Sequence, residues 1–65
     1  MGVYEIRILN NRQKRYLIIE QQYLTDEAAI RAANNDARGR AVEVWRDLTC
    51  LYRAEPGQSA YPDLP

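Results

Sequence analysis

The feature that most limits what this chain of 65 residues can fold into is its lack of cross-linking side chains, because it contains one cysteine, Cys50, and no histidine. Cys50 has no second cysteine in the chain to pair with, so an intrachain disulfide is excluded. A structural zinc site needs about four Cys, His or carboxylate ligands, which this composition does not favour. A domain of this length buries only about 60% of its unfolded surface, so its stability must come from an apolar core or from association with another subunit.

Two segments in the first third of the chain have the pattern of β-strands. Residues 3–9 alternate, with Tyr4, Ile6 and Ile8 on one side and the other residues on the opposite side. Residues 15–22 form a second run that is apolar on both sides, with Leu17 and Ile19 on one face and Tyr16 and Ile18 on the other. The polar residues 10–14 between the two runs favour a turn, so the pattern predicts an antiparallel hairpin.

The middle of the chain has the pattern of one amphipathic helix over residues 26–38. Thr25 is a good N-cap, and Asp26 and Glu27 place negative charge in the first turn, where the helix dipole favours it. Gly39 is suited to the position after the helix. The predicted buried stripe contributes little apolar area, because it consists of Ala29, Ile30, Ala33 and Ala37.

The last third of the chain contains one or two further strands and a change of composition. Residues 41–46 predict a third strand, 47–49 a tight turn and 50–54 a short fourth strand; the alternative is one long bent third strand. All three prolines and one of the three glycines lie in the last ten residues. We therefore expect a domain over residues 1–55 and a flexible C-terminal tail over residues 56–65.

These elements predict an α+β, single-domain ββαβ(β) fold. Its antiparallel sheet has three to four strands, with one helix packed on one face. Strand order 2-1-3-4 keeps every neighbouring pair antiparallel and is the order we expect. The alternative order 1-2-3 creates a parallel pair, with the very apolar second strand in the centre.

Two motifs carry a resemblance. Residues 26–33, Asp-Glu-Ala-Ala-Ile-Arg-Ala-Ala, are followed after Gly39 by Ala-Val-Glu-Val-Trp at residues 41–45. In this pattern the chain resembles a group of small uncharacterised bacterial proteins, in which a strand pair leads into an "EAA" helix and a "VEVW" strand. The resemblance covers residues 3–55 and implies a final short strand. It implies no activity and no site residues, and the basic loop here differs from the glycine-bearing hairpin that is common in that group.

The composition and the residue types argue against catalysis and against ligand binding. Cys50 has no histidine to activate it, and the three glycines are too far apart to form a phosphate-binding loop. Glu5, Glu20 and Glu43 lie in predicted strands, and alternating strands normally carry such charges on the solvent-exposed face rather than in a paired-carboxylate site. We therefore expect no enzyme, no cofactor, no metal and no small-molecule ligand. The lone thiol, with no export signal and no membrane-spanning run, predicts a cytoplasmic protein.

Two surfaces are candidates for binding macromolecules. One thin helix covers only one sheet face, so an apolar second face with Tyr16, Ile18 and Trp45 suggests a homodimer or another protein partner. This predicts a small non-catalytic protein-interaction module. The alternative is a nucleic-acid-binding accessory protein that uses the basic residues Arg12, Lys14 and Arg15, although a net charge of zero argues against it. A second alternative is an enzyme subunit that a partner completes.

Overall fold

The computed structural model describes residues 2–10 and 14–56. Along the chain it contains β1 (Gly2–Asn10), β2 (Arg15–Tyr23), α1 (Asp26–Ala37), β3 (Val42–Arg46) and β4 (Thr49–Ala54). The strands form one antiparallel sheet in the order β2-β1-β3-β4. The predicted α+β class, the fourth strand and the order 2-1-3-4 are confirmed. The parallel arrangement and the single bent strand are wrong. Residues 57–65 lie outside the described residues, so the tail stays a prediction.

Local signals in the sequence account for both ends of α1. Thr25 has extended backbone angles, and its side chain accepts a hydrogen bond of 3.1 Å from the backbone N–H of Ala28. The helix ends one residue earlier than predicted because Arg38 adopts the left-handed conformation, with φ 52° and ψ 48°. The N–H of Arg38 donates to the carbonyl of Asn34, and Gly39 follows with φ 88°.

The core lies between α1 and one face of the sheet. Strand alternation sends Ile6, Ile8, Val42 and Val44 to this face, and all four are buried. The helix contributes small residues, which let its backbone approach the sheet closely. The buried apolar core consists of Tyr4, Ile6, Ile8, Ala29, Ala33, Ala37, Val42, Val44 and Ala54.

The helix is short compared with a membrane. It has twelve residues, and in residues 2–10 and 14–56 no helix is long and apolar enough to cross a bilayer.

Candidate interaction surface

The side of the sheet opposite α1 carries a mixture of charged and apolar side chains, and we call it the open face. The strand registers place the odd-numbered residues of β1 on it, beside the even-numbered residues of β2. They also place Glu43 and Trp45 of β3 there, with Arg53 of β4 opposite Glu43. No described element packs over this face.

A network of charged groups occupies the centre of the open face. Arg7 forms ion pairs with Glu5 and, at 3.8 Å, with Glu43, and its guanidinium lies 4.6 Å from the ring centroid of Trp45. Trp45 Nε1 donates a hydrogen bond of 2.8 Å to Glu43, which also pairs with Arg53 at 3.2 Å. The hydrogen bond to Glu5 is the main reason why the pKa of Arg7 is raised. The indole of Trp45 is therefore half-buried under a cation and is not a bare apolar surface.

The predicted interface residues do not form one continuous apolar patch. Tyr16, Ile18 and Trp45 all lie on the open face, as the alternation predicted. Tyr16 and Ile18, however, belong to the edge strand β2, whereas Trp45 lies on β3, with β1 between them. Arg7 is the residue of β1 opposite Ile18, and its charge lies between Ile18 and Trp45.

Three of the six exposed large hydrophobic side chains of the described residues are consecutive on β2 and lie on both faces of the sheet. The exposed fractions are 48% for Tyr16, 54% for Leu17 and 56% for Ile18. Leu17 points to the face covered by α1, yet the helix leaves it exposed. The sequence predicted the face on which Leu17 lies but not its exposure, because no sequence signal locates the edge of a helix on a sheet. Three consecutive large hydrophobic side chains in water are unusual for a domain that functions alone.

The backbone of β2 is also open along its outer edge. The N–H of Leu9 donates to the carbonyl of Ala41 at 2.9 Å, so the odd-numbered residues of β1 bond towards β3 and the even-numbered ones towards β2. The register Ile8↔Leu17 then uses the odd-numbered residues of β2 in that ladder. Tyr16, Ile18 and Glu20 consequently direct their N–H and C=O groups outward, where no described segment pairs with them.

The two edges of the sheet differ in how well they are protected. The edge strand β4 has six residues, and its ladder with β3 contains a register shift at Val44/Trp45. The edge strand β2 has nine residues, and its register with β1 runs without a shift from Tyr23 to Arg15. Short length and bulges protect edges from pairing, so β2 is the less protected of the two edges.

The predicted basic cluster is described in part. Arg12 lies outside the described residues, whereas Lys14 and Arg15 are exposed. The segment after α1 lies at the same end of the sheet as Lys14 and Arg15, because Ala41 accepts a hydrogen bond from Leu9, near the end of β1. Exposed Arg38, at the end of α1, therefore adds a cation to this end of the molecule.

The described residues offer little that resembles catalytic or metal-binding machinery. Cys50 is a half-buried free thiol, and its Sγ donates to the carbonyl of Tyr52 at 3.5 Å. Among residues 2–10 and 14–56, no group of three His, Cys, Asp or Glu side chains comes together in a way that would hold a metal ion.

Comparison with known protein families, curated proteins and solved structures gives no match. The similarity of residues 26–33 and 41–45 to small bacterial proteins therefore stays a prediction.

Proposed function

We propose that the protein is a small non-catalytic protein-interaction module that binds its partner along β2. The observation that supports this is the coincidence of two features on one strand. An unshifted edge of nine residues leaves backbone hydrogen-bonding groups open, and three consecutive apolar side chains flank it, more than half exposed in the case of Leu17 and Ile18. A partner strand that pairs there gains backbone hydrogen bonds and side-chain contacts on both faces.

The location that we propose is the cytoplasm. The free thiol of Cys50 supports it, since reducing compartments keep such thiols unpaired.

The test is affinity capture from native lysate with three forms of the chain. The wild type is compared with the double variant Tyr16→Lys/Ile18→Lys and with Leu48→Lys, which changes a side chain that is 93% exposed in the turn between β3 and β4. Circular dichroism checks that each form is folded. We expect the wild type and Leu48→Lys to capture the same partner, which is either another protein or a further copy of this chain. We expect the β2 variant not to capture it.

Equal capture by all three forms would place the binding surface elsewhere and contradict the proposal. The Leu48→Lys control is matched in chemistry, because it also replaces an exposed apolar residue with lysine. A loss seen with both variants would indicate a general effect of added charge.

Nucleic-acid binding is a second candidate, and the position of Arg38 supports it. Lys14, Arg15 and Arg38 share one end of the molecule, so the basic surface is wider than the loop alone. We expect such binding to an oligonucleotide to weaken steeply with salt. The variant Arg12→Ala/Lys14→Ala would lose it while its stability changes by less than about 0.5 kcal/mol.

A further inference from the structure

We propose that the strand that pairs with β2 is β2 of a second copy of this chain, antiparallel around a two-fold axis at Leu17. The two four-stranded sheets then become one continuous sheet. This inference rests on the proposed function and names its partner.

The edge geometry limits the pairings that a two-fold axis allows. In an antiparallel ladder, residues directly opposite each other must both direct their backbone groups into the shared edge or both away from it. Because the even-numbered residues of β2 face outward, even-numbered residues must lie opposite even-numbered ones. A symmetric pairing is therefore centred on one residue, and the exposed stretch offers Tyr16, Leu17 or Ile18 as that centre.

The pairing centred on Leu17 places the exposed apolar side chains of β2 opposite one another. It places Tyr16 opposite Ile18 of the second copy. It also brings Glu20 beside Lys14 of the second copy, which directly precedes β2 with φ 53°, and symmetry repeats both contacts. Centring on Tyr16 puts Lys14 opposite Ile18, and centring on Ile18 puts Tyr16 opposite Glu20. Aromatic residues opposite β-branched ones, and opposite charges side by side, stabilise antiparallel strands.

Glu20 and Lys14 are available for this contact. Within the described part of the chain, neither side chain forms an ion pair, and both are exposed. Inside its own sheet Glu20 lies opposite Glu5, so a like charge is its nearest cross-strand neighbour. Lys14 of the second copy supplies a cation at that position.

The other face of the joined sheet explains the exposure of Leu17. Leu17 lies on the face that carries α1, but the helix does not cover it. At the two-fold axis, Leu17 packs against Leu17 of the second copy. One register thus accounts for the three exposed apolar residues of β2 and for the charges of Lys14 and Glu20, which form no ion pair with another described residue.

A charge exchange tests both the dimer and its register. Sedimentation equilibrium of the full chain at low ionic strength, from micromolar to hundreds of micromolar, is run on the wild type, Lys14→Glu, Glu20→Lys and the double exchange. We expect a dimer of the wild type. Each single variant should raise the dissociation constant roughly tenfold, because two attractive pairs become two repulsive ones. The double exchange should restore the wild-type value, and Leu48→Lys should not change it.

A wild type that stays monomeric at hundreds of micromolar would overturn the proposal. So would a dimer whose dissociation constant is unchanged by the single exchanges or is not restored by the double exchange. Circular dichroism of each variant separates a lost interface from a lost fold. The proposed function fails by a different result, equal lysate capture by the β2 variant. A monomeric wild type that captures another protein through β2 would leave that function standing and exclude only the second copy.

Discussion

At the scale of single residues, Tyr4 connects the core of the sheet to the start of α1. Its ring is buried in the core, and its hydroxyl donates a hydrogen bond of 2.5 Å to Asp26 in the first turn of α1. Arg46, at the end of β3, also binds Asp26, at 2.8 Å. One carboxylate thus connects β1, β3 and the start of the helix. Its negative charge also lies where the helix dipole favours it.

This contact makes a prediction about pH. The hydrogen bond to Asp26, with burial as a smaller cause, raises the pKa of Tyr4 above the ordinary value of 10.0. The folded-state pKa exceeds the unfolded one, so the stabilising contribution is complete below pH 10 and is lost as the pH rises through the folded value. In an ultraviolet titration of the phenols, we expect the ionisation of Tyr4 to appear as a late step above pH 10.

Two variants check that the late ionisation step belongs to Tyr4. Tyr4→Phe should remove the late step, and Asp26→Asn should move it towards the ordinary range. Tyr16→Phe serves as the control, since Tyr16 is exposed and its removal should leave the late step in place. A late step that survives in Tyr4→Phe would assign it to another tyrosine.

At the scale of elements, α1 determines how much core the molecule can have. Its buried face consists of Ala29, Ala33 and Ala37, together with the polar Asn34, whose side-chain oxygen accepts a hydrogen bond of 3.2 Å from the hydroxyl of Tyr52. Small side chains bring the helix backbone close to β1 and β3. The large apolar side chains of the core therefore come from the sheet.

The close fit predicts the effect of a larger side chain at the centre of this face. Ala33 is fully buried, so Ala33→Leu has no free space to occupy, and we expect a loss of about 1–3 kcal/mol in the free energy of unfolding. Asn35→Leu is the control, because Asn35 is exposed on the same helix. Urea unfolding of both variants measures the difference. Equal stability of the two would show that the helix can shift away from the sheet at little cost.

The elements themselves were predictable because their signals are local. Alternation located β1, a run of large apolar residues located β2, Thr25 marked the start of α1, and Gly39 marked its end to within one residue. The exposure of Leu17 was not predictable, because it depends on where the helix lies across the sheet. The network around Arg7 was missed for a different reason, because it joins residues of three strands whose relative register the sequence does not specify.

At the scale of the whole molecule, the fold is a thin two-layer structure with unequal surfaces. Its principal extents are 31, 29 and 15 Å, so the sheet and one helix account for its thickness. The open face is large, but ion pairs and the stacked Arg7 and Trp45 occupy its centre. The one consecutive run of exposed large apolar residues among the described residues lies on the edge strand β2. Assembly by extension of the sheet therefore fits this surface better than packing of two open faces.

The variant Trp45→Lys distinguishes these two modes of assembly. Trp45 lies two strands away from the outer edge of β2, and Arg7 already covers its ring. In a dimer joined at β2 edges the indole stays outside the contact, so we expect the dissociation constant to be unchanged. In a dimer packed through open faces, the same change buries a cation beside Arg7, and the dimer should dissociate. Sedimentation of Trp45→Lys beside Ile18→Lys measures this, with circular dichroism to confirm folding. Edge pairing predicts that only Ile18→Lys yields a monomer, and dissociation of Trp45→Lys would assign the interface to the open face.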